Sequence, residues 1–128
     1  MTFQYGVALR TAKQQAIITY LGVTPTLKIF SGAEPGNCAA GDPSGLLCTI
    51  SLPNPPFTAA SGALTLAGSW TTSTSTAGTA ASFRIYDTAG PTCCMQGNVT
   101  TDLVLNNTSI GTNQTVTVTA FGDTAGNT

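Results

Sequence analysis

Residues 80–101, Ala-Ala-Ser-Phe-Arg-Ile-Tyr-Asp-Thr-Ala-Gly-Pro-Thr-Cys-Cys-Met-Gln-Gly-Asn-Val-Thr-Thr, constrain the fold more than any other stretch. In the first arm Ala81, Phe83 and Ile85 alternate with Ser82, Arg84 and Tyr86. A strand sends successive side chains to opposite faces, so the first set is expected in a core, with Arg84 and Tyr86 facing out. Asp87-Thr-Ala-Gly-Pro breaks the run with turn residues, and residues 92–99 return with sulfur-bearing and apolar side chains. The pattern predicts a β-hairpin at the centre of a sheet.

What surrounds that hairpin follows from the other residues. Only 7% of the 128 residues are charged, against roughly 25% in ordinary globular domains. Yet 41% are hydrophobic and the net charge is −1, which is not a disordered composition. The 24 Thr and 9 Ser residues wet the surface with hydroxyls, and Thr favours a pleated, half-buried environment. Such a surface gives little colloidal repulsion and suits a chain packed against other protein. Four scattered basic residues exclude a nucleic-acid footprint, and no apolar run reaches the roughly 18 residues of a membrane span. The first ten residues have no basic segment followed by an apolar one, so no secretory leader is expected.

One helix is predicted, over about 7–21. Leu9, Ala12, Ala16 and Tyr20, joined by Ile17 and Leu21, form an apolar stripe, with Arg10, Lys13 and Gln14 on the other side. Gly22 suits the C-terminal cap, and Pro25 prevents continuation. Strands are expected over 26–30, 46–52, 63–70 and 115–121, the last alternating Val116, Val118 and Ala120 with Thr. Residues 26–33 and 82–89 share a pattern, 56 positions apart: hydroxyl, apolar, basic, Ile, aromatic. They are either a duplicated hairpin or two strands in equivalent sheet environments. Residues 31–45, rich in Gly and Pro, read as a solvated contact loop, 71–79 as a polar Thr/Ser segment, and 122–128 as a frayed tail. Short strands with turns every eight to twelve residues predict one domain spanning 1–128. Its fold class is all-β: a two-sheet antiparallel sandwich, jelly-roll or Ig-like, with one N-terminal α-helix.

The chain has no His, so Ser-His-Asp and Cys-His nucleophiles are excluded, and no Walker-type phosphate loop occurs. The four cysteines, Cys38, Cys48, Cys93 and Cys94, do not suit zinc, because vicinal Cys93 and Cys94 point to opposite faces of a strand. They are expected as thiols, or as a disulfide from Cys38 to Cys48 or to one of the pair after exposure to an oxidising medium. Glu34 and Asp42 fit no calcium-loop spacing. The Asn-x-Ser/Thr sites at Asn98, Asn106, Asn107 and Asn113 read as turn chemistry. Asp87 and Arg84 are a candidate surface pair. No enzymatic activity and no cofactor are expected.

Several segments together carry a resemblance: the Leu-Arg-x-x-Lys helix, Thr-Leu-Lys-Ile-Phe-Ser-Gly-Ala-Glu-Pro, Leu-Leu-Cys-Thr-Ile-Ser-Leu-Pro, Phe-Arg-Ile-Tyr-Asp with Met-Gln-Gly-Asn-Val, and Leu-Val-Leu-Asn-Asn-Thr-Ser-Ile. The chain resembles a family of small virion proteins of tailed bacteriophages. The resemblance implies a capsid cement or decoration protein on the head exterior, made in the host cytoplasm. Its partner would be the major capsid protein, and it would form a dimer or trimer on the virion. Alternatives are a tail or fibre module binding receptor or carbohydrate through exposed aromatics such as Tyr86 and Trp70, or a tail-tube or connector component. Candidate partner contacts are Phe3 and Tyr5 ahead of the helix, Arg10 and Lys13 facing an acidic partner, and Phe57 after the rigid Pro53-Asn-Pro-Pro arm.

Overall fold

The computed structural model describes residues 4–89 and 92–124. Helix α1 (Val7–Leu21) comes first, followed by β1 (Thr26–Phe30), β2 (Leu46–Ser51), β3 (Phe57–Ala60), β4 (Ala63–Leu66) and β5 (Thr71–Thr72). Then come β6 (Gly78–Thr79), β7 (Ser82–Tyr86), β8 (Cys93–Asn98), β9 (Leu103–Leu105), β10 (Ser109–Ile110) and β11 (Val116–Thr124). The described residues are thus mostly antiparallel β with a single N-terminal helix, as the alternation predicts.

One sheet has the order β2-β1-β7-β8, with the hairpin β7–β8 joined to the hairpin β1–β2 through their first strands. The register runs from Thr26 opposite Tyr86 to Phe30 opposite Ser82, with Lys28 opposite Arg84 at its midpoint. The two similar segments therefore face each other about a local two-fold axis through the Lys28–Arg84 pair. They occupy equivalent sheet environments. The second sheet is built around β11, which pairs with β5 at Val116, with β9 from Val118 to Phe121, and with β4 from Gly122. β3 continues it beyond β4, and β6 pairs with β10 as a short ribbon. The C-terminal strand is longer than its alternation suggests: residues 122–124, expected as tail, are held by pairing with β4.

The core lies between the sheets. Leu27, Ile29, Ile50, Phe83 and Ile85 come from one, and Phe57, Leu64, Leu103, Val116 and Val118 from the other. Phe83 and Ile85, expected in a core, are in it together with Leu64, Val116 and Val118, and Leu66 packs against it half-buried. Phe121 bridges the layers, with its ring centroid 5.5 Å from Phe83, 5.6 Å from Phe57 and 5.9 Å from Trp70.

The helix has the expected bounds but turns a different face inward. Its buried residues are Gln14, Ile18 and Leu21, whereas Leu9 and Tyr20 are 51% and 70% exposed. The reason is the β3–β4 turn, where Gly62 needs partners for both backbone groups. Gly62 N donates to Thr11 Oγ1 at 2.9 Å, and Gln14 Nε2 donates to Gly62 O at 3.4 Å. Gly62 sits at φ +78°, and an added Cβ would lie 3.1 Å from Arg10. The helix is docked by polar groups on the side expected to face solvent, and most of its apolar stripe is left outside. Its far end is fixed by Thr88, in the turn after β7. Thr88 N and Oγ1 both donate to Leu21 O at 2.9 Å, satisfying a carbonyl that the helix end leaves open. Gly22, at φ +84°, passes so close that an added Cβ would lie 2.7 Å from Thr88 Oγ1.

Candidate functional site: an outer loop clamp and an exposed helix face

Lys28 and Arg84 are like charges directly opposite each other on the sheet face away from the core, an arrangement that needs an anion. Loop 31–45 brings one. Arg84 Nη1 donates to Asp42 Oδ1 and to Ala40 O, each at 3.0 Å, and Nη2 donates to Asn37 O at 3.2 Å. The Tyr86 hydroxyl donates to the same Asp42 oxygen at 2.5 Å. Lys28 Nζ lies 5.0 Å from the Tyr86 ring centroid. Gln96 Nε2, from β8, donates to Pro35 O at 2.7 Å. The loop mouth is closed by Ser31 N to Gly45 O at 2.8 Å and Gly32 N to Ser44 O at 2.9 Å. Arg84 is 2% exposed and Tyr86 6% exposed, so the expectation that they face solvent is corrected. Their side of the strand is outside the core but is roofed by the loop. The ion pair of Arg84 is with Asp42, while Asp87 Oδ1 accepts from Thr92 N at 2.8 Å across its own turn.

Titration behaviour follows from this packing. The Tyr86 hydroxyl bond, opposed by partial burial and aided by Arg84, holds the Asp42 carboxyl below its usual range. Burial first, and then the Asp42 carboxylate, push the Tyr86 phenol up to about 12. Burial alone pushes the Cys48 thiol up to about 11. The vicinal cysteines differ in environment: a register shift skips Cys94 in the pairing with β7, and it packs half-buried against the core. Cys93 forms a disulfide with Cys38 of the roofing loop, one of the pairings left open by the sequence, and Cys48 and Cys94 are free thiols.

The second feature is an unpartnered apolar face. Leu9, Ala12, Ala16 and Tyr20 are all exposed along α1, with Val7 at one end and Val23 just past the other. Beside this stripe runs a groove of about 460 Å³ between α1 and β8, lined by Ala16, Ile17, Tyr20, Leu21, Cys93, Cys94 and Met95. Among the described residues no charged side chain lines it. β8, whose residues 93–95 line the groove, is the last strand of its sheet.

No family model, curated protein or solved structure matches the chain. No described helix is long and apolar enough to cross a membrane, and no group of three or more metal-ligating side chains occurs among the described residues.

The predicted contact residues divide between these regions and the core. Phe3 lies outside the described residues. Tyr5 is half-buried, with Lys13 Nζ 4.3 Å from its ring centroid, so the structure brings these two together at the start of the helix. Arg10 is half-buried against Gly62 and belongs to the inner contact, not to a basic outer edge. Phe57 is 1% exposed and stacks edge-on against Trp70 at 5.2 Å, so it anchors its own core and not a neighbour's pocket. The proline segment delivers it straight into β3. Trp70 is likewise fully buried, with Nε1 donating to Ala67 O at 3.2 Å. The Arg84–Asp42–Tyr86 cluster was missed by sequence reasoning. Its signal was the length of loop 31–45, since a structureless connection of about 15 residues in a compact domain normally covers something.

Proposed function

We propose that the chain is a structural protein of a tailed-bacteriophage virion, a capsid cement or decoration protein that binds the head exterior and stabilises contacts between major capsid proteins. The observation that carries this reading is the exposed stripe of Leu9, Ala12, Ala16 and Tyr20 on a helix fixed to the domain through Thr11 and at its C-terminal end. A rigid apolar face on a weakly charged domain gains affinity from buried area and not from long-range attraction. Lys13 borders the stripe and α1 has no acidic residue, so the complementary surface is apolar with an acidic rim. In this reading the protein carries no catalytic step and needs no cofactor. It acts by occupancy, and self-association into dimers or trimers would multiply that effect through avidity. The resemblance of its segments to small phage virion proteins supports the same assignment. A receptor- or carbohydrate-binding role loses its two aromatic candidates, because Trp70 and Tyr86 are buried.

The test is titration of heads that lack the protein with the purified chain and with the double variant Leu9→Glu, Tyr20→Glu. Wild type is expected to saturate the head in many copies. The variant, folded by circular dichroism, should bind about 100-fold more weakly, the loss of two buried anchors. Equal occupancy by the variant, or a few copies confined to the tail tip, would overturn the proposal.

A further inference from the structure

Loop 31–45 is held at more points than a roofing loop needs, and those points surround one residue. Asn37 Oδ1 accepts from Ala39 N at 2.9 Å and from Ala40 N at 3.0 Å, forming a compact turn with Cys38 inside it. Arg84 grips that turn on both sides of the cysteine, through Asn37 O and Ala40 O. Cys93 stands opposite Tyr86 on β8, two positions along the sheet from Arg84. The Cα atoms of Cys38 and Cys93 are 5.4 Å apart, within the range a disulfide spans without backbone movement. A register shift between Ile85 and Tyr86 leaves Cys94 with no opposite residue on β7, and it packs half-buried against the core.

We propose that Arg84 docks loop 31–45 while the cysteines are still reduced, and that the Cys38–Cys93 bond is a late covalent lock on a loop already in place. The inference does not depend on the virion assignment. A guanidinium 2% exposed cannot be left without acceptors, and the three it uses all belong to the loop. Loop closure therefore accompanies folding and does not wait for oxidation. Made in a reducing compartment, the protein carries two thiols held side by side. On meeting a disulfide oxidant such as oxidised glutathione, one thiolate attacks it, forming a mixed disulfide and releasing one glutathione thiol. The second thiolate then displaces the other glutathione. Two electrons pass from the protein to the oxidant, and both cysteines lose their protons. Cys94 does not compete, because it is the residue skipped in the pairing with β7 and packs against the core, and burial, together with Asp87, raises its pKa.

The experiment uses the full chain purified with its thiols reduced, then exposed to oxidised glutathione. Pairing is followed by alkylation and peptide mass spectrometry, and loop access by thermolysin. The reduced protein is expected to show the same β-sheet circular dichroism as the oxidised one. Of the four cysteines only Cys38 and Cys93 should be consumed. The lock should raise the melting temperature by roughly 10 °C and slow cleavage within the loop. Asp42→Ala and Arg84→Gln should each slow bond formation about tenfold, and Arg84→Gln should let Cys38–Cys94 pairs appear. If Arg84→Gln does not fold, Asp42→Ala carries the test, since that side chain is 46% exposed. Bond formation at the wild-type rate in folded Asp42→Ala, a reduced wild type without β-sheet signal, or thermolysin resistance in Cys93→Ser equal to that of the oxidised protein would overturn the proposal.

Discussion

β1 and β7 are nearly the same strand twice, Thr-Leu-Lys-Ile-Phe and Ser-Phe-Arg-Ile-Tyr, paired with each other in one sheet. Toward the core they behave alike: Leu27, Ile29, Phe83 and Ile85 are all buried. On the opposite face they diverge. Lys28 stays half-exposed and reaches across to the Tyr86 ring, while Arg84, directly beside it, is closed in completely. The difference is not in the strands. Loop 31–45 leaves β1, crosses back over β7 and β8, and supplies two backbone carbonyls and a carboxylate to the guanidinium. Arg suits that role because its planar fork reaches several acceptors at once, whereas an ammonium is better left near water over a ring. Equivalent strand positions thus acquire different burdens from what is laid over them.

The largest expected effect tests the shared side. Phe83→Ala should destabilise by about 3–5 kcal/mol and Leu27→Ala by about 2–5 kcal/mol, read from urea unfolding midpoints. A loss in only one of them would break the equivalence of the two core faces. The next effect tests the divergent side. Arg84→Gln should cost about 2–3 kcal/mol, because three loop acceptors lose a charged donor, with the Asp42 contribution discounted for exposure. Lys28→Gln should change stability by no more than about 0.5 kcal/mol, since it also removes a like charge opposite Arg84. Similar costs for the two would refute the argument that the loop distinguishes them.

The smallest effects come from pH. Tyr86 and Cys48 have pKa values raised by folding, to about 12 and about 11. A raised value means that the unfolded chain loses the proton first, so their contribution is complete below about pH 9 and disappears as pH rises through 9–12. Asp42 is lowered, so its contribution is present above its unfolded value and is lost as pH falls through its folded one. Melting temperature should therefore fall at both ends, and Tyr86→Phe should flatten the alkaline limb. An unchanged alkaline limb in that variant would separate Tyr86 from the clamp.

Much of the fold was legible because a two-residue period leaves its mark in the sequence. It located β1, β7 and the start of β11, and Gly22 with Pro25 located the end of the helix. The inward face of α1 was not legible. Leu9, Ala12, Ala16 and Tyr20 form the better apolar stripe, but the helix docks where Thr11 and Gln14 satisfy the backbone of Gly62. Leaving a buried peptide group unpaired costs more than leaving that stripe in water, and nothing near residues 11–14 announces a turn 48 positions away. Phe57 and Trp70 were misjudged for a related reason: turn-rich neighbours suggest surface, yet each chain reversal drops its aromatic between the sheets.

Periodicity, turn residues and composition by themselves determined that this chain makes short antiparallel strands, one helix and a surface poor in charge. Those are local matters, decided by backbone geometry and by the alternation of side chains along a few residues. Which side of α1 is wet, that Arg84 is roofed, and which cysteine meets Cys38 were decided only by the tertiary structure. An alternating strand specifies that it has two different faces, but what covers each face is chosen by distant segments competing to satisfy the same buried groups.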